Sequence, residues 1–240
     1  MKDILMAESI GSLYSEKKDG NVDARFSSQQ EVAGNLSAIC RARNLDPRFL
    51  IQAQQIHATS VKKVGAADRG KTISGADALI TDDPGVCLML RVADCIPIYL
   101  FDPLNRAIGI AHSGWRGSIG KIILVTIMNM NTQFGSNPND LLIALGPSLL
   151  DRYQSLREEP LQAKLPEWRQ FIKKQDSEYT VDLPGFVKKT AVLAGVKEEN
   201  VFLSTVCTAM QESLFSHARS TETGEPSGRF AALIYLKTMT

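Results

Sequence analysis

Hydrophobic positions along the chain change period from stretch to stretch, and the changes mark out the elements. Ile96 to Phe101 and Ala107 to Ala111 are short apolar runs rich in branched residues, separated by Asp102-Pro103-Leu104-Asn105. Such runs around a turn signal predict two strands and a tight connection. Cys95 stands just before the first strand and His112 just after the second. In a hairpin the entry of one strand and the exit of the other share an end, so Cys95 and His112 are expected to be neighbours. Ser113-Gly114-Trp115-Arg116-Gly117 then turns the chain towards an apolar helical stretch, Ile119 to Phe134, stopped by Gly135.

The flanking pattern is mixed. Val32, Leu36 and Ile39 recur at helical spacing, predicting a helix over Ser27 to Arg43 with Ser27 or Ser28 as its cap. Phe49 to Val61 alternates and reads as a strand, with His57 near its end. Ala76 to Thr81, Val86 to Val92, Leu141 to Leu145, Tyr179 to Leu183, Val201 to Val206 and Arg229 to Leu236 are further strand candidates, and Asp83-Pro84-Gly85 is a turn. Pro160 to Lys174 reads as an amphipathic helix, and Phe186 to Ala194 as a helix ended by Gly195. Met1 to Ser28 is polar and irregular, and Ser216 to Gly228 reads as a polar loop. No linker, repeat or low-complexity segment interrupts this pattern, so one domain over residues 1–240, mixing helices and strands, is expected.

Composition narrows the functional classes. A net charge of +1 gives no general attraction to nucleic acid. No apolar run approaches the ~20 residues of a membrane span, and the start MKDILMAESIG lacks the form of a signal peptide. Cys40, Cys87, Cys95 and Cys207 have no disulfide-framework spacing, so reduced thiols in a cytoplasmic protein are expected.

Only three histidines occur, His57, His112 and His217, each near the end of an apolar run. His57, Cys95 and His112 come from three strand ends. Two imidazoles and a thiolate suit a tridentate Zn²⁺ site with a fourth position left for water, and copper is an alternative. A Cys95–His112 nucleophile pair is a second chemical reading. Arg116 and the amides after Gly114 are candidates to meet an anion. Asp94, beside Cys95, either orients a ligand or is a turn residue, and the turn is the preferred reading.

An ordered set of motifs goes further. QxHxxxV (Gln55 to Val61), ADALIT (Ala76 to Thr81), ADCxPxxxFDP (Ala93 to Pro103), AHSGWRG (Ala111 to Gly117), GPS (Gly146 to Ser148), Cys207-Thr208, FSHxR (Phe215 to Arg219) and Gly228-Arg229 follow one another. Together they resemble the laccase-domain family, also called multicopper polyphenol oxidase or YfiH-like. The resemblance implies an α+β fold of mixed sheets flanked by helices. It implies a cytoplasmic enzyme that phosphorolyses adenosine, inosine, guanosine and methylthioadenosine and deaminates adenosine. The implied metal, usually zinc, falls on His57, Cys95 and His112, which with Arg116 form the expected catalytic set. Lys17, Asn35, Ser113, Gly114, Cys207 and His217 are the expected substrate-binding positions. A copper phenol oxidase, a cysteine hydrolase and a non-enzymatic binder stand as alternatives, and the oligomeric state is left open.

The chain departs from the family pattern at several places. Tyr14 to Gly20 replaces FSTRxGGVS, with Lys17 where an arginine is usual, and Asn35-Leu36 replaces Asn-Arg. Arg152-Tyr153-Gln154 replaces Cys-Tyr-Glu, no Asn-Arg follows Asp182-Leu183, and only Arg219 remains of the final Arg-Arg. These losses predict an altered substrate range or a weakened activity.

Overall fold

The structure is a computed structural model that describes residues 2–3, 7–153 and 156–237; Gln154, one of the family departures, lies outside the described residues. In chain order the first strands and helices are β1 (Lys2–Asp3), β2 (Ile10–Tyr14), α1 (Gln29–Arg41), β3 (Leu50–Ala53), β4 (Val61–Lys63), β5 (Thr72–Ile73), β6 (Ala78–Thr81) and β7 (Cys87–Val92). The hairpin strands β8 (Ile96–Asp102) and β9 (Ala107–Ser113) lead to α2 (Trp115–Ile119) and α3 (Ile122–Phe134). The rest comprises β10 (Leu142–Leu145), β11 (Ile172–Gln175), β12 (Glu178–Val181), α4 (Leu183–Leu193), β13 (Val201–Leu203), α5 (His217–Thr223) and β14 (Phe230–Leu236).

Two six-stranded sheets form the body. One has the order β1-β2-β14-β7-β3-β5, the other β13-β10-β8-β9-β6-β4. Both mix directions: β3 runs parallel to β7, and β13 to β10, while β14/β7 and β8/β9 are antiparallel. Leu88, Leu90, Val92, Phe230, Ala232 and Ile234 of the first sheet pack against Leu79, Tyr99, Phe101, Ile108 and Ile110 of the second. Alternate residues of the second sheet, among them Ile80, Ile98, Leu100 and Ala111, pack outward on Ile123, Ile127 and Met130 of α3 and Val187 of α4. Met89, Ala231 and Leu233 of the first sheet pack outward on Leu36, Ile39 and Cys40 of α1. Burial on both faces explains why the central strands read as continuous apolar runs. The result is an α+β fold in which both sheets are flanked by helices.

The hairpin register sets up the site. Ile96 pairs with Ser113 and Pro97 with His112, so the residue before β8 and the last turn of β9 share one end. Asp102 closes the other end, its carboxylate accepting from the amides of Leu104 and Asn105 and from Asn105 Nδ2.

The structure corrects five readings. The strand over Phe49 to Val61 stops at Ala53, and His57 sits in a loop with φ +60°. The helix over Ile119 to Phe134 is two helices, broken where Lys121 takes φ +57°. Pro160 to Lys174 is not one helix. Two 3₁₀ turns, Leu161–Lys164 and Pro166–Phe171, run into β11. Pro166 brings no N–H to a helix, and Trp168 stacks on Phe186 with centroids 3.6 Å apart. Ser216 to Gly228 contains α5, capped where Ser216 accepts from the Arg219 amide. Met1 to Ser28 contains β2, buried along its whole length despite Gly11 and Ser12, because Gly11 leaves room for the Tyr235 ring.

Candidate metal centre

His57, Cys95 and His112 converge. Their ligand atoms all lie within 4.8 Å of one another, and the two imidazoles meet edge-on with centroids 4.8 Å apart. His112 is buried, Cys95 half-buried and His57 exposed, so the cluster opens to solvent on the His57 side.

Asp77, wholly buried, holds the arrangement together. It stands one residue before β6, at the end of the sheet where His112 lies. Its carboxylate accepts from the amides of Ile56 (3.2 Å), His57 (2.8 Å) and Ala58 (2.8 Å). The same carboxylate lies 3.3 Å from His112 Nδ1. One side chain therefore fixes the loop that carries His57 and orients the ring of His112, leaving Nε2 as that ring's remaining donor. A carboxylate hydrogen-bonded to the far nitrogen of a ligating imidazole raises that ring's basicity. Burial alone would raise the Asp77 pKa, but the bonds from His112, Ala58 and His57 outweigh it and hold the carboxyl below its ordinary range.

Backbone strain collects at the same place. His57 has φ +60° and Asp94 φ +80°, left-handed conformations that non-glycine residues seldom adopt. The Asp77 clamp offsets the strain at His57. Asp94 is pinned by its own side chain, which accepts from Thr208 Oγ1 at 2.5 Å and from the Ala218 amide at 2.7 Å. Thus Asp94 is more than a turn residue, since it ties the segment carrying Cys207 and the start of α5 to Cys95. Gly114 completes the packing: a Cβ there would lie 2.8 Å from Cys95 Sγ.

The electrostatics are those of a thiolate beside an imidazolium. Burial pushes the Cys95 thiol up, but hydrogen bonds and positive charge from His112 and His57 outweigh it and carry it well below the ordinary thiol value. Burial pushes His112 down, but Asp77 and Cys95 outweigh it and hold its pKa above the ordinary imidazole value. An acidified thiol and two imidazoles, one oriented by a carboxylate, fit a divalent ion such as zinc. Donor softness does not separate zinc from copper here. Among the described residues this is the one cluster of three or more His, Cys, Asp and Glu donors.

The remaining sequence candidates fall at varied distances in role. Ser113 is buried, its hydroxyl 2.9 Å from that of Ser118. Arg116 is exposed, its guanidinium 4.0 Å from the Trp115 ring centroid. Cys207 is buried beside Ser148, and His217 is exposed at the first turn of α5. Lys17 is ion-paired to Glu225 at 3.2 Å, and Asn35 donates to the Asn21 carbonyl at 2.9 Å. All four cysteines are free, and among the described residues no helix is long and apolar enough to cross a membrane.

The profile described as multi-copper polyphenol oxidoreductase laccase matches residues 16–237. The chain belongs to this family. A purine nucleoside phosphorylase, YlmD, from Geobacillus stearothermophilus is 34% identical over 198 residues, 75% of this chain and 70% of its own length. The adenosine deaminase RL5, from an unknown prokaryotic organism, is 28% identical over 203 residues, 82% of this chain and 72% of its own. The crystal structure of the hypothetical protein YfiH from Bacillus licheniformis superposes with a TM-score of 0.84 at 26% identity, covering 97% of this chain and 98% of that one. The family's name refers to several coppers, whereas the described residues of this member bring together donors for one ion. Sequence reasoning missed Asp77 and the full role of Asp94. Each is a polar residue at the mouth of an apolar strand, which was the available signal.

Proposed function

We propose that the chain is a metal-dependent purine nucleoside phosphorylase, with zinc as its metal and with adenosine deaminase activity, working in the cytoplasm as a single domain. The convergence of His57, Cys95 and His112 under one orienting carboxylate carries the reading. The names of its relatives, purine nucleoside phosphorylase and adenosine deaminase, suggest the substrate class.

In phosphorolysis an oxygen of phosphate bonds to C1′ of the ribose while the bond from C1′ to N9 breaks. The bonding electrons leave with the purine, which takes up a proton, giving free base and ribose 1-phosphate. In deamination water adds at C6 and ammonia leaves. Zinc at this centre supplies Lewis acidity and lowers the pKa of coordinated water towards ~7. The chain's own work is positional. His57, Cys95 and His112 hold the ion, Asp77 fixes two of these ligands, and Gly114 keeps the space beside Cys95 clear. Arg116, Ser113, Lys17, Asn35, Cys207 and His217 are retained as residues that shape the nucleoside pocket. Adenosine, inosine, guanosine and methylthioadenosine are the substrates to try first.

The test is product chromatography after incubating metal-replete protein with adenosine, with and without phosphate. Adenine and ribose 1-phosphate are expected only with phosphate, and inosine in both tubes. No product in either tube overturns the reading. The acidified thiol of Cys95 against His112 supports a second reading, a cysteine hydrolase. That enzyme would lose activity to thiol alkylation yet keep it after chelation and removal of metal.

A further inference from the structure

The cations around the centre differ in what neutralises them. Lys17 and Arg219 share Glu225, at 3.2 and 2.8 Å. Arg219 also donates to the carbonyls of Thr208, Ala209, Gln211 and Leu214, so it is a structural staple. Arg25 grips Asp23 with two nitrogens, at 2.6 and 3.0 Å. Arg116 is exposed, and its charge is met by water and the Trp115 ring.

Arg229 and Arg91 are different. Both are half-buried, and neither has a carboxylate partner within ion-pair distance among the described residues. Among the described residues their side chains donate only to carbonyls, Arg229 to Gly228 at 2.7 Å and Arg91 to Ala53 at 3.3 Å. Arg229 is pressed towards another cation. Its guanidinium lies 4.9 Å from the Phe26 ring centroid, and that of Arg25 lies 5.6 Å from the same ring. Burial and the charge of Arg25 lower its pKa, while Asp23, Cys95 and Asp94 act in the opposite direction. Asp23 pairs with Arg25, Asp94 accepts from Thr208 and Ala218, and neither they nor Cys95 lies within ion-pair or hydrogen-bond distance of Arg229, so their charges reach it only from further off. A guanidinium withdrawn from water without a counter-ion is unfavourable, and a bound anion removes that penalty.

Register places this pair beside the centre. Phe230 pairs with Val92 and Ala231 with Arg91. One step further, Arg229 comes level with Ala93, two residues before Cys95. Arg229 and Arg91 are diagonal neighbours on one face of the sheet, a spacing of about 7 Å between backbone positions. The Arg91 backbone is tied in both directions to the Gln55 side chain, at 2.9 Å each way, two residues before His57. The chain thus carries two forks with no ion-pair partner among the described residues at the rim between the segments that hold His57 and Cys95.

The geometry points to Arg229, with Arg91 beside it, as the site that binds inorganic phosphate, the second substrate of the reaction proposed above. This deepens the phosphorylase reading and rests on it for the phosphate's role. It also accounts for how the chain manages with Lys17, already paired, where an arginine is usual.

The test uses the full, zinc-loaded chain and the variants Arg229→Gln, Arg229→Lys and Arg91→Gln, with far-ultraviolet circular dichroism and melting to establish folding. Phosphate binding is read directly by ³¹P line broadening and by calorimetry, without turnover. Phosphorolysis is then followed with phosphate varied at saturating adenosine. Arg229→Gln is expected to weaken phosphate binding and raise the phosphate KM about tenfold to hundredfold, the scale of a lost charge-assisted bond. The adenosine KM is expected to move less than twofold. Arg229→Lys should recover part of the loss, since it restores the charge but not the fork. Arg91→Gln should show a smaller change in the same direction, and it carries the test if Arg229→Gln does not fold. Wild-type phosphate affinity in both folded glutamine variants overturns the proposal. So does a site that binds adenosine 5′-monophosphate in an Arg229-dependent way but ignores inorganic phosphate. Absence of phosphorolysis by the wild type defeats the phosphorylase reading instead, and the binding measurements still decide Arg229.

Discussion

Asp77→Asn is the sharpest perturbation of the centre, because it changes one oxygen and almost no volume. The wild-type carboxylate is wholly buried and faces only donors: the amides of Ile56, His57 and Ala58, and His112 Nδ1. Asparagine offers one acceptor oxygen and one NH₂ group. Either orientation turns that NH₂ towards at least one of the donors, leaving a buried N–H without an acceptor. An unsatisfied buried donor costs about 1–3 kcal/mol, and a lost bond to a charged group about as much, so roughly 2–5 kcal/mol of stability is expected to go. The His57 loop, held in a left-handed conformation by these bonds, loses its clamp, and His112 loses the carboxylate that fixes its ring. Loss of an outer-shell partner lowers metal affinity about 10–100-fold. The assays are urea unfolding of the metal-free protein and zinc competition against a chromogenic chelator. Asp83→Asn is the control, since Asp83 caps the turn at Gly85 far from the ligands, through the amides of Ala66 and Gly85. Zinc affinity within twofold of wild type in Asp77→Asn, with stability changed by less than about 0.5 kcal/mol, would refute the reasoning.

Two further perturbations test other parts of the argument. Gly114→Ala puts a methyl 2.8 Å from Cys95 Sγ, so zinc affinity and both activities should fall at least tenfold while the melting temperature changes little; an alanine variant with wild-type metal affinity would show that the space beside Cys95 is not needed. Asp102 should contribute a pH-dependent part of stability: burial raises its pKa, but the Ser136 hydroxyl beside it and hydrogen bonds from Asn105 and Leu104 outweigh that and leave it lowered. A carboxyl depressed in the folded state stabilises above its unfolded value near 4, and that stability is lost as pH falls through the folded value. Asp102→Asn should therefore be less stable than wild type at pH 6, by about 1.5–3 kcal/mol, and the gap should narrow below pH 4; a gap independent of pH from 6 to 3 would contradict the assignment.

The hairpin was legible because its information is local. Branched residues, a four-residue turn and a period of two specify β8 and β9, and their pairing alone brings Cys95 to His112. The helix α1 was legible for the same reason, down to Ser28 as its cap, which accepts from the Glu31 amide. His57 converges with Cys95 and His112, but it is not the strand residue that the alternation predicts. Its conformation is imposed by Asp77, twenty positions away in sequence, and no local propensity reports a bond of that span. The stretch from Pro160 to Lys174 failed in the opposite way, since a helical spacing of apolar residues was overruled by Pro166 and by Trp168 seeking Phe186.

The missed residues share one physical property, and it bears on how the centre works. Asp77, Asp94 and Arg229 each carry a charge at the mouth of a strand whose other residues are buried. Read singly, each passes for a turn residue or a solvated end. Two of them are instead acceptors at strained backbone, Asp77 for the left-handed His57 and Asp94 for its own left-handed position, which it ties to the start of α5. The third, Arg229, has no carboxylate within ion-pair distance among the described residues. Asp77 and Asp94 keep their negative charge while they accept from these donors, but neither forms an ion pair with that arginine. The arrangement that builds the metal centre therefore leaves an arginine without an ion pair beside it, and the phosphate-binding proposal rests on that juxtaposition.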